Sequence, residues 1–155
     1  MSAAAETLAL DDLPGHLIRR LQQIAVAIFL QETEASGLTP VQFAALQTVA
    51  NQPGIDQRSL ARASGLDTST IAGVIDRLEG RGLLLRSVSP ADRRARLLTL
   101  TPEGHALLRD VVPCMHRAQQ RILAPLPAGE QREFLHMLRT LVDANNELSR
   151  APSGP

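Results

Sequence analysis

Two short helical segments joined by a tight turn stand in the middle of the chain, and two strand-like segments follow them directly. Asp56 can cap a first helix that stops at Gly65. Asp67 or Thr68 can cap a second helix after about one residue of turn, which is helix-turn-helix spacing. The apolar residues of the second helix recur at spacings of three and four: Ile71, Val74, Ile75 and Leu78. Its opposite face is small and polar, which suits close approach to another surface.

A β-hairpin is predicted after the second helix. Residues 83–88 and 96–101 have the composition of strands, and residues 89–95 between them are rich in turn-forming types. A helix-turn-helix followed by a hairpin is the arrangement of a winged helix. We assign the winged helix to residues 39–101.

Two helix starts carry strong capping signals. Thr39 precedes Pro40, and Gln42 stands where it can complete a capping box. Thr101 is likewise followed by proline at the start of a long helix. Pro113 lies inside that helix and should kink it.

Three amphipathic helices are predicted outside the winged helix. The first begins with Asp11 or Asp12 as its cap and ends before Gly37. The other two lie within residues 102–148. Because a small winged helix lacks the surface to cover three more apolar stripes, we expect these helices to pack across a two-fold dimer axis. A monomeric subdomain that covers its own stripes is the alternative.

The predicted fold class is mainly α, of the α+β type, with a winged helix-turn-helix and flanking helices that form a two-fold dimerisation domain. Residues 1–10 are expected to be a flexible arm and residues 149–155 a disordered tail. Residues 11–38 and 102–148 are expected to form the dimerisation region around the winged helix at 39–101.

The charge distribution points to the middle of the chain. The 155 residues have a formal net charge of zero, and all 16 basic residues are Arg. Residues 51–101 carry eight Arg against five acidic residues, whereas residues 1–50 have a net charge of −3. A polyanionic partner would therefore meet the middle third. A solvated surface of mixed charge explains so small an imbalance equally well.

Composition excludes several other functions. Three Phe without Tyr or Trp argue against base recognition by aromatic stacking, and the single cysteine excludes an intrachain disulfide or a cysteine zinc site. The sequence shows no Ser, His and Asp in the order of a catalytic triad, no phosphate-binding loop, and no His residues at the spacing of metal ligands. We therefore predict no enzymatic activity, no cofactor and no metal. Without a bilayer-length apolar run or a secretory leader, a cytoplasmic protein with no membrane partner is expected.

Three stretches carry more specific motifs. Residues 92–104 show Asp-x-Arg before a strand ending in Leu-Thr, then a helix start with Gly. Residues 66–83 and 38–46 supply a recognition-helix segment and the preceding helix start. In this order, they resemble the MarR family of bacterial winged-helix transcriptional regulators, over residues 11–148. The resemblance implies a homodimer that binds a pseudo-palindromic operator in double-stranded DNA.

The resemblance also implies how the protein would meet DNA. The helix after Asp67 would lie in the major groove, and Arg77 would contact guanine or phosphate. Pairing of Arg77 with Asp76 or Glu79 is the alternative. Residues 57–59 would touch backbone phosphates.

At the wing tip, Arg94 would enter the minor groove, and Asp92 would pair with it to hold its guanidinium. Arg93 and Arg96 would contact phosphates or brace the wing. The complete set of expected DNA-binding residues is Gln57, Arg58, Ser59, Thr68, Ser69, Thr70, Gly73, Arg77, Asp92, Arg93, Arg94 and Arg96.

Regulators of this family commonly respond to small aromatic or phenolic acids, bound where the dimer helices meet the winged helix. Residues 13–23 and 38–46 resemble the branch that controls aromatic-acid degradation. We therefore predict a repressor of an aromatic-acid catabolic operon, released by a small aromatic carboxylate such as 6-hydroxynicotinate. Candidate effector-binding residues are His16, Arg19, Arg20, Gln23, Phe43, Gln47, His105 and Met115.

Two alternatives remain open from the sequence. One is a winged-helix regulator with a different trigger, a phenolic drug or a redox signal. Family members that sense peroxide use a cysteine near the start of the first helix, whereas Cys114 lies in an apolar stretch of the long helix and is expected to be buried and inert. The other alternative is a winged helix that binds protein and has no affinity for DNA.

Overall fold

The structure, a computed structural model, describes residues 6–149 and 151–152. The helices of the described part are α1 (Pro14–Glu32), α2 (Pro40–Asn51), α3 (Gln57–Ala63), α4 (Thr68–Gly80), α5 (Pro102–Leu123) and α6 (Ala128–Ala144). Its strands are β1 (Ile55–Asp56), β2 (Leu84–Val88) and β3 (Arg96–Leu100). Short 3-10 turns occupy Leu10–Asp12, Glu34–Ser36 and Asn146–Leu148. The predicted mainly helical winged helix is confirmed.

Side-chain caps fix where the helices of the winged unit begin. The Thr39 hydroxyl accepts from the backbone N–H of Gln42, and the Gln42 side chain accepts from the backbone N–H of Thr39, which completes the predicted capping box. Asp56 caps α3 and Asp67 caps α4, each by accepting a backbone N–H three residues further on. Thr101 caps α5 in the same way. These four starts are as predicted.

The start of α1 differs from expectation. Asp11 and Asp12 both lie in a 3-10 turn and cap nothing, and Pro14 occupies the first helical position. Proline there has the helical φ already fixed and needs no hydrogen-bond acceptor, so the helix starts without a side-chain cap. The Asp11 carboxylate instead lies 3.8 Å from Nε2 of His16 and 3.6 Å from Nη1 of Arg20.

The sheet contains one strand more than the sequence predicts. Its order is β1-β3-β2, and both pairs are antiparallel. The two residues of β1 pair with Leu97 and Leu98 of β3 and so attach the start of α3 to the wing. A strand of two residues has no periodicity, and only its partner strand reveals it.

Most of the apolar core belongs to the winged unit, and Leu108 and Val111 of α5 complete it. The stripe of α4 is buried as predicted, and it packs with side chains from α2, α3, β2 and β3 that are almost inaccessible: Leu46, Leu60, Leu84 and Leu98. By contrast, α6 buries none of its side chains, and α1 buries only Phe29, although α1 packs against α5. The apolar stripes of α1 and α6 are therefore uncovered in a single protomer.

The predicted arm and tail lie partly outside the described residues. Residues 6–9 have no regular secondary structure, but the arm ends in the 3-10 turn at Leu10–Asp12. At the other end, α6 stops at Ala144, four residues earlier than predicted, and a 3-10 turn follows it. Residues 1–5, 150 and 153–155 are outside the described part.

Gly104 lies where the backbone of the connection after α4 passes closest to α5. An added Cβ would overlap the carbonyl oxygen of Leu83 and lie 3.1 Å from its carbonyl carbon. That carbonyl is held by the backbone N–H of Thr101 at 3.1 Å, so it cannot move away freely. A glycine at this point of the Leu-Thr…Gly motif is thus required by packing.

Replacing Gly104 with alanine is expected to lower the free energy of unfolding by about 1–3 kcal/mol, because overpacking forces backbone shifts. Urea denaturation of both proteins measures the difference. Gly73→Ala in α4 is the matched control, because a Cβ there meets nothing within 4 Å. The free energy of unfolding of Gly73→Ala should rise by about 0.5–1 kcal/mol, because alanine has the higher helix propensity. Equal stability changes for the two variants would contradict this explanation.

Candidate nucleic-acid interface and effector-binding residues

One open groove lies between the starts of α3 and α4 and the wing tip. It brings together residues that are up to 40 positions apart in the sequence, including three Arg side chains: Asp56, Gln57, Arg58, Thr68, Asp92, Arg94, Ala95 and Arg96. Six of these are predicted DNA-binding residues. The fold therefore assembles half of the predicted contact set along one cationic groove.

The start of α4 presents three exposed hydroxyl side chains. Ser69 donates its hydroxyl to Asp67 at 2.8 Å, and the Thr70 hydroxyl donates to the same carboxylate at 2.9 Å. Their oxygens can still accept hydrogen bonds from outside, whereas their protons are engaged by the cap. Next along this helix, Gly73 leaves open space where a side chain would stand. A flat surface such as a base-pair edge can therefore approach the helix closely.

Arg77 is exposed and has no hydrogen-bond or ion-pair partner in the described part of the chain. The alternative of pairing with its helix neighbours is wrong, because Arg86 of β2 binds both of them. Its Nη2 lies 2.7 Å from Asp76 Oδ1 and 3.0 Å from Glu79 Oε1. The hydrogen bond from Arg86 lowers the pKa of Glu79 below its ordinary value and raises the pKa of Arg86. Arg86 thus ties the wing to α4 and leaves Arg77 available.

The wing tip is shaped by backbone contacts. Asp92 was expected to pair with the guanidinium of Arg94, but its carboxylate accepts from the backbone N–H of Arg94 at 2.9 Å. Arg96 donates to the carbonyl of Arg93 at 3.0 Å and so braces the loop, which is one of the two roles predicted for it. The described residues form no ion pair with Arg93 or Arg94, and both side chains are exposed. The predicted pair between the side chains of Asp92 and Arg94 is therefore wrong. Asp92 instead stabilises a turn that presents two unpaired Arg side chains.

The start of α3 combines an exposed cation with a tightly held cap. Arg58 is exposed, whereas Gln57 and Ser59 are half-buried. Ser59 donates its backbone N–H to Asp56 Oδ1 at 2.8 Å and its hydroxyl to Oδ2 at 2.9 Å. The backbone hydrogen bond from Ser59 is the main reason why the pKa of Asp56 lies below its ordinary value of 3.8.

Asp56→Asn is expected to change the acid sensitivity of the fold. Because the pKa of Asp56 is lower in the folded state, its ionised form stabilises the protein above pH 3.8, and that contribution disappears as the pH falls through the folded-state value. The urea midpoint of the wild type should therefore exceed that of the variant at pH 7, with a smaller gap at pH 3. Asp12→Asn, which caps no helix, is the control. A gap of the same size at both pH values would contradict the assignment.

The predicted effector-binding residues fall into separate places within one protomer. His16 and Arg19 approach each other at 3.5 Å near the start of α1, beside the Asp11–Arg20 pair. Phe43 instead packs against Phe29 near the other end of α1, with ring centroids 6.2 Å apart. Positions 16 and 29 are separated by about 20 Å of helix rise.

The remaining candidates do not join either group through a hydrogen bond. Gln47 donates to Asn51 at 2.9 Å, and Met115 accepts from Gln119 at 3.0 Å. Gln23 and His105 are exposed. Cys114 is half-buried rather than buried, and its Sγ lies 3.1 Å from Nη2 of Arg117.

An apolar groove runs between α1, the end of α5 and α6, and we name it the α1–α6 groove. None of the candidate effector residues lines it. Its lining is almost wholly apolar: Pro14, Leu17, Ile18, Leu21, Gln22, Ala25, Gln119, Ile122, Leu123, Phe134, Leu135, Met137, Leu138 and Leu141. Its helices are the ones that the sequence assigns to dimerisation.

Comparison with known proteins identifies the family. The sequence model of the MarR family matches residues 38–95. The HTH-type transcriptional repressor NicR of Pseudomonas putida is 35% identical over 131 residues, which are 84% of this chain and 83% of NicR. The chain belongs to the MarR family. This MarR-family protein is therefore a transcriptional regulator and not an enzyme.

Solved structures agree with this family over nearly the whole chain. The PcaV regulator of Streptomyces coelicolor, in complex with its natural ligand, has a TM-score of 0.85 and 40% identity, covering 90% of this chain and 98% of PcaV. BpsR of Bordetella bronchiseptica, whose DNA binding is regulated by 6-hydroxynicotinic acid, has a TM-score of 0.84 and 37% identity, covering 89% and 99%. The similarity extends beyond the winged unit to the flanking helices.

Membrane-spanning helices and metal-ligand clusters are both absent from the described residues. None of their helices combines the length and apolar character of a membrane span. Within the same residues, His, Cys, Asp and Glu side chains form no group of three or more that could hold a metal ion.

Proposed function

We propose that this MarR-family protein represses an aromatic-acid catabolic operon and leaves its operator when a small aromatic carboxylate binds. The cationic groove between α3, α4 and the wing carries the DNA-binding half of the proposal, because it presents exposed Arg side chains beside a helix start with open space at Gly73. The similarity to a repressor, NicR, and to BpsR, which responds to 6-hydroxynicotinic acid, supports the effector half. Its target is chromosomal DNA, so we place its action in the cytoplasm.

On the operator, α4 would occupy the major groove. Thr68 would donate its hydroxyl to a base edge or a phosphate, whereas Ser69 and Thr70, whose protons are held by Asp67, would accept from donors on base edges. The positive end of the helix dipole would favour a phosphate at this helix start. The guanidinium of Arg77, unpaired in the described chain, would bind guanine or phosphate. Gln57, Arg58 and Ser59 would contact phosphates and set the register of the protein on the duplex. These contacts involve one half-site for each protomer.

At the flank of each half-site, the wing would enter the minor groove. The hydrogen bond that Asp92 accepts from the backbone N–H of Arg94 shapes the loop without neutralising the guanidinium. An unpaired guanidinium on a braced loop suits a narrow A·T-rich groove, where the negative potential is concentrated. Arg93 would contact a phosphate, and Arg96 would hold the loop.

A two-fold homodimer would cover the apolar stripes of α1 and α6. Val142 and Leu141 of α6 are 62% and 55% exposed, and Ile18 of α1 is 57% exposed. Apolar patches of this extent are uncommon on monomeric proteins and mark interaction surfaces. The dimer would hold two recognition helices at the spacing of a pseudo-palindrome, with half-sites about one helical turn apart.

The effector carboxylate would bind the basic cluster near the start of α1. His16, Arg19 and Arg20 offer the donors, and Arg suits a carboxylate because its planar fork can donate two parallel hydrogen bonds. The aromatic side of the site would include Phe43. Because Phe43 packs at the far end of the same α1, we propose that the cluster of one protomer completes the site of its partner.

The test is release of a fluorescent duplex from the upstream region of the protein's own gene, followed by anisotropy. We expect 6-hydroxynicotinate or 4-hydroxybenzoate to release the duplex and to raise the melting temperature of the free protein. The matching neutral amides, which lack the carboxylate, should do neither. If the protein binds the duplex but responds to no aromatic acid, the proposed class of effector is wrong. If it does not bind the duplex, the proposed repressor function is wrong.

A further inference from the structure

Arg81 connects the end of the recognition helix to a distant part of the chain. It is the first residue after α4, and its guanidinium reaches back across the fold. Nη2 donates to the carbonyl of Ser36 at 2.8 Å, and Nη1 donates to the carbonyl of Gly37 at 3.3 Å. Both carbonyls belong to the connection between α1 and α2. Within residues 6–149 and 151–152, no carboxylate forms a hydrogen bond or ion pair with this Arg, so its polar contacts are with backbone alone.

The connection that Arg81 holds is itself tied firmly to the end of α1. The Ser36 hydroxyl donates to the carbonyl of Thr33 at 2.6 Å and accepts from the backbone N–H of Leu38 at 3.1 Å. Thr33 in turn donates to the carbonyl of Phe29 inside α1 at 2.8 Å. Gly37 has a φ of 65°, which lets the chain reverse sharply there. A displacement of the end of α1 therefore moves the two carbonyls with it.

The same end of α4 is tied to α5. The Thr101 hydroxyl donates to the carbonyl of Gly82 at 2.6 Å, and Gly82 follows Arg81 directly. The recognition helix is thus anchored at its C-terminal end to both α1 and α5, while its N-terminal end faces the groove. Of the two anchors, only Arg81 leads toward α1, through the connection that follows that helix.

We propose that Arg81 is a positioning residue that sets the angle of the recognition helix against the flanking helices, and so fixes the half-site spacing that the dimer accepts. The inference rests on the proposed dimeric operator binding. A guanidinium suits this role because its rigid fork bonds two neighbouring carbonyls at once, whereas the single ammonium group of Lys lacks that planar fork. Without it, α4 gains freedom to tilt, and wrong spacings cost less to bind.

The test compares Arg81→Met with the wild type on three duplexes: the operator, and the operator with one base pair inserted or deleted at its centre. One base pair rotates a half-site by about 35° relative to the other. The wild type should bind both altered duplexes at least tenfold more weakly than the operator. For Arg81→Met, the ratio of the affinity for the operator to that for the altered duplexes should be at least threefold smaller than for the wild type. The ratio for Arg81→Lys should lie between those of Arg81→Met and the wild type. Arg109→Met, an exposed Arg of α5 with no hydrogen-bond partner in the described chain, should discriminate as the wild type does.

A purely structural role predicts a different result. If Arg81 only stabilised the fold, Arg81→Met would lower the urea midpoint and weaken all three duplexes equally, which would overturn the inference. A wild type that binds all three duplexes equally well would overturn it too. Should Arg81→Met fail to fold, Arg81→Gln and Arg81→Lys carry the comparison. Failure of the wild type to bind the operator at all would instead refute the proposed function.

Discussion

Arg94→Ala is expected to weaken operator binding by at least tenfold while leaving the fold and the dimer intact. The side chain has no ion-pair partner in the described chain, so its removal leaves no buried group unsatisfied. A good arginine contact in a DNA groove contributes about 1–3 kcal/mol, and the proposed dimer makes the contact twice. Anisotropy titrations of the operator at several salt concentrations measure the loss.

The neighbouring Arg93 provides a matched control for Arg94. Both residues are exposed at the same wing tip, and each carries one positive charge. Loss of a phosphate contact lowers the salt slope by about one for each contact, whichever Arg is removed. Only Arg94→Ala should also abolish the preference for A·T pairs at the operator flanks. Equal losses of affinity and of flank preference for the two variants would refute the minor-groove role of Arg94.

Leu141→Glu is expected to convert the protein into monomers and to weaken operator binding by at least a hundredfold. Leu141 lies on α6 in the α1–α6 groove, and 55% of its surface is exposed in a single protomer. At a two-fold interface each substitution introduces two carboxylates, which must be desolvated without a partner. Two winged units that are no longer linked in one dimer lose the gain in effective concentration on which dimeric binding depends.

Leu85→Glu is the control for Leu141→Glu. Leu85 lies on the wing strand β2, outside the flanking helices and the α1–α6 groove, and 56% of its surface is exposed. Sedimentation equilibrium at micromolar concentration should find Leu85→Glu dimeric and Leu141→Glu monomeric. If Leu141→Glu remained dimeric, the α1–α6 groove would not be the interface.

The sequence predicted those parts of the fold that local chemistry determines. The caps of α2 to α5 are visible because a Thr or Asp side chain binds an N–H three residues away. The apolar stripe of α4 is visible because its period matches the helix. Two of the errors in the predicted elements, the cap of α1 and the missed strand β1, arise where a tertiary or backbone effect replaces such a signal. Pro14 replaces the side-chain cap, and β3 supplies the pairing that makes β1 a strand.

The sequence predicted which residues gather at the site better than it predicted the partners that their side chains bind. Six expected DNA-binding residues converge on one groove, because the motif order already implies helix starts beside a wing. The roles of Arg81 and Arg86 were missed, since their partners are set by the fold: Arg86 binds carboxylates of α4, and Arg81 binds carbonyls 44 and 45 positions earlier. The predicted effector residues are divided between the two ends of α1, a separation that residue type does not show.

The most direct test of this account is the mass of the complex that the protein forms with its own upstream duplex, measured by sedimentation velocity at low micromolar concentration. We expect two chains on each duplex, a free protein that is also a dimer, and loss of the complex when an aromatic carboxylate is added. One chain on each duplex, or a complex that an unrelated competitor duplex displaces equally well, would contradict it.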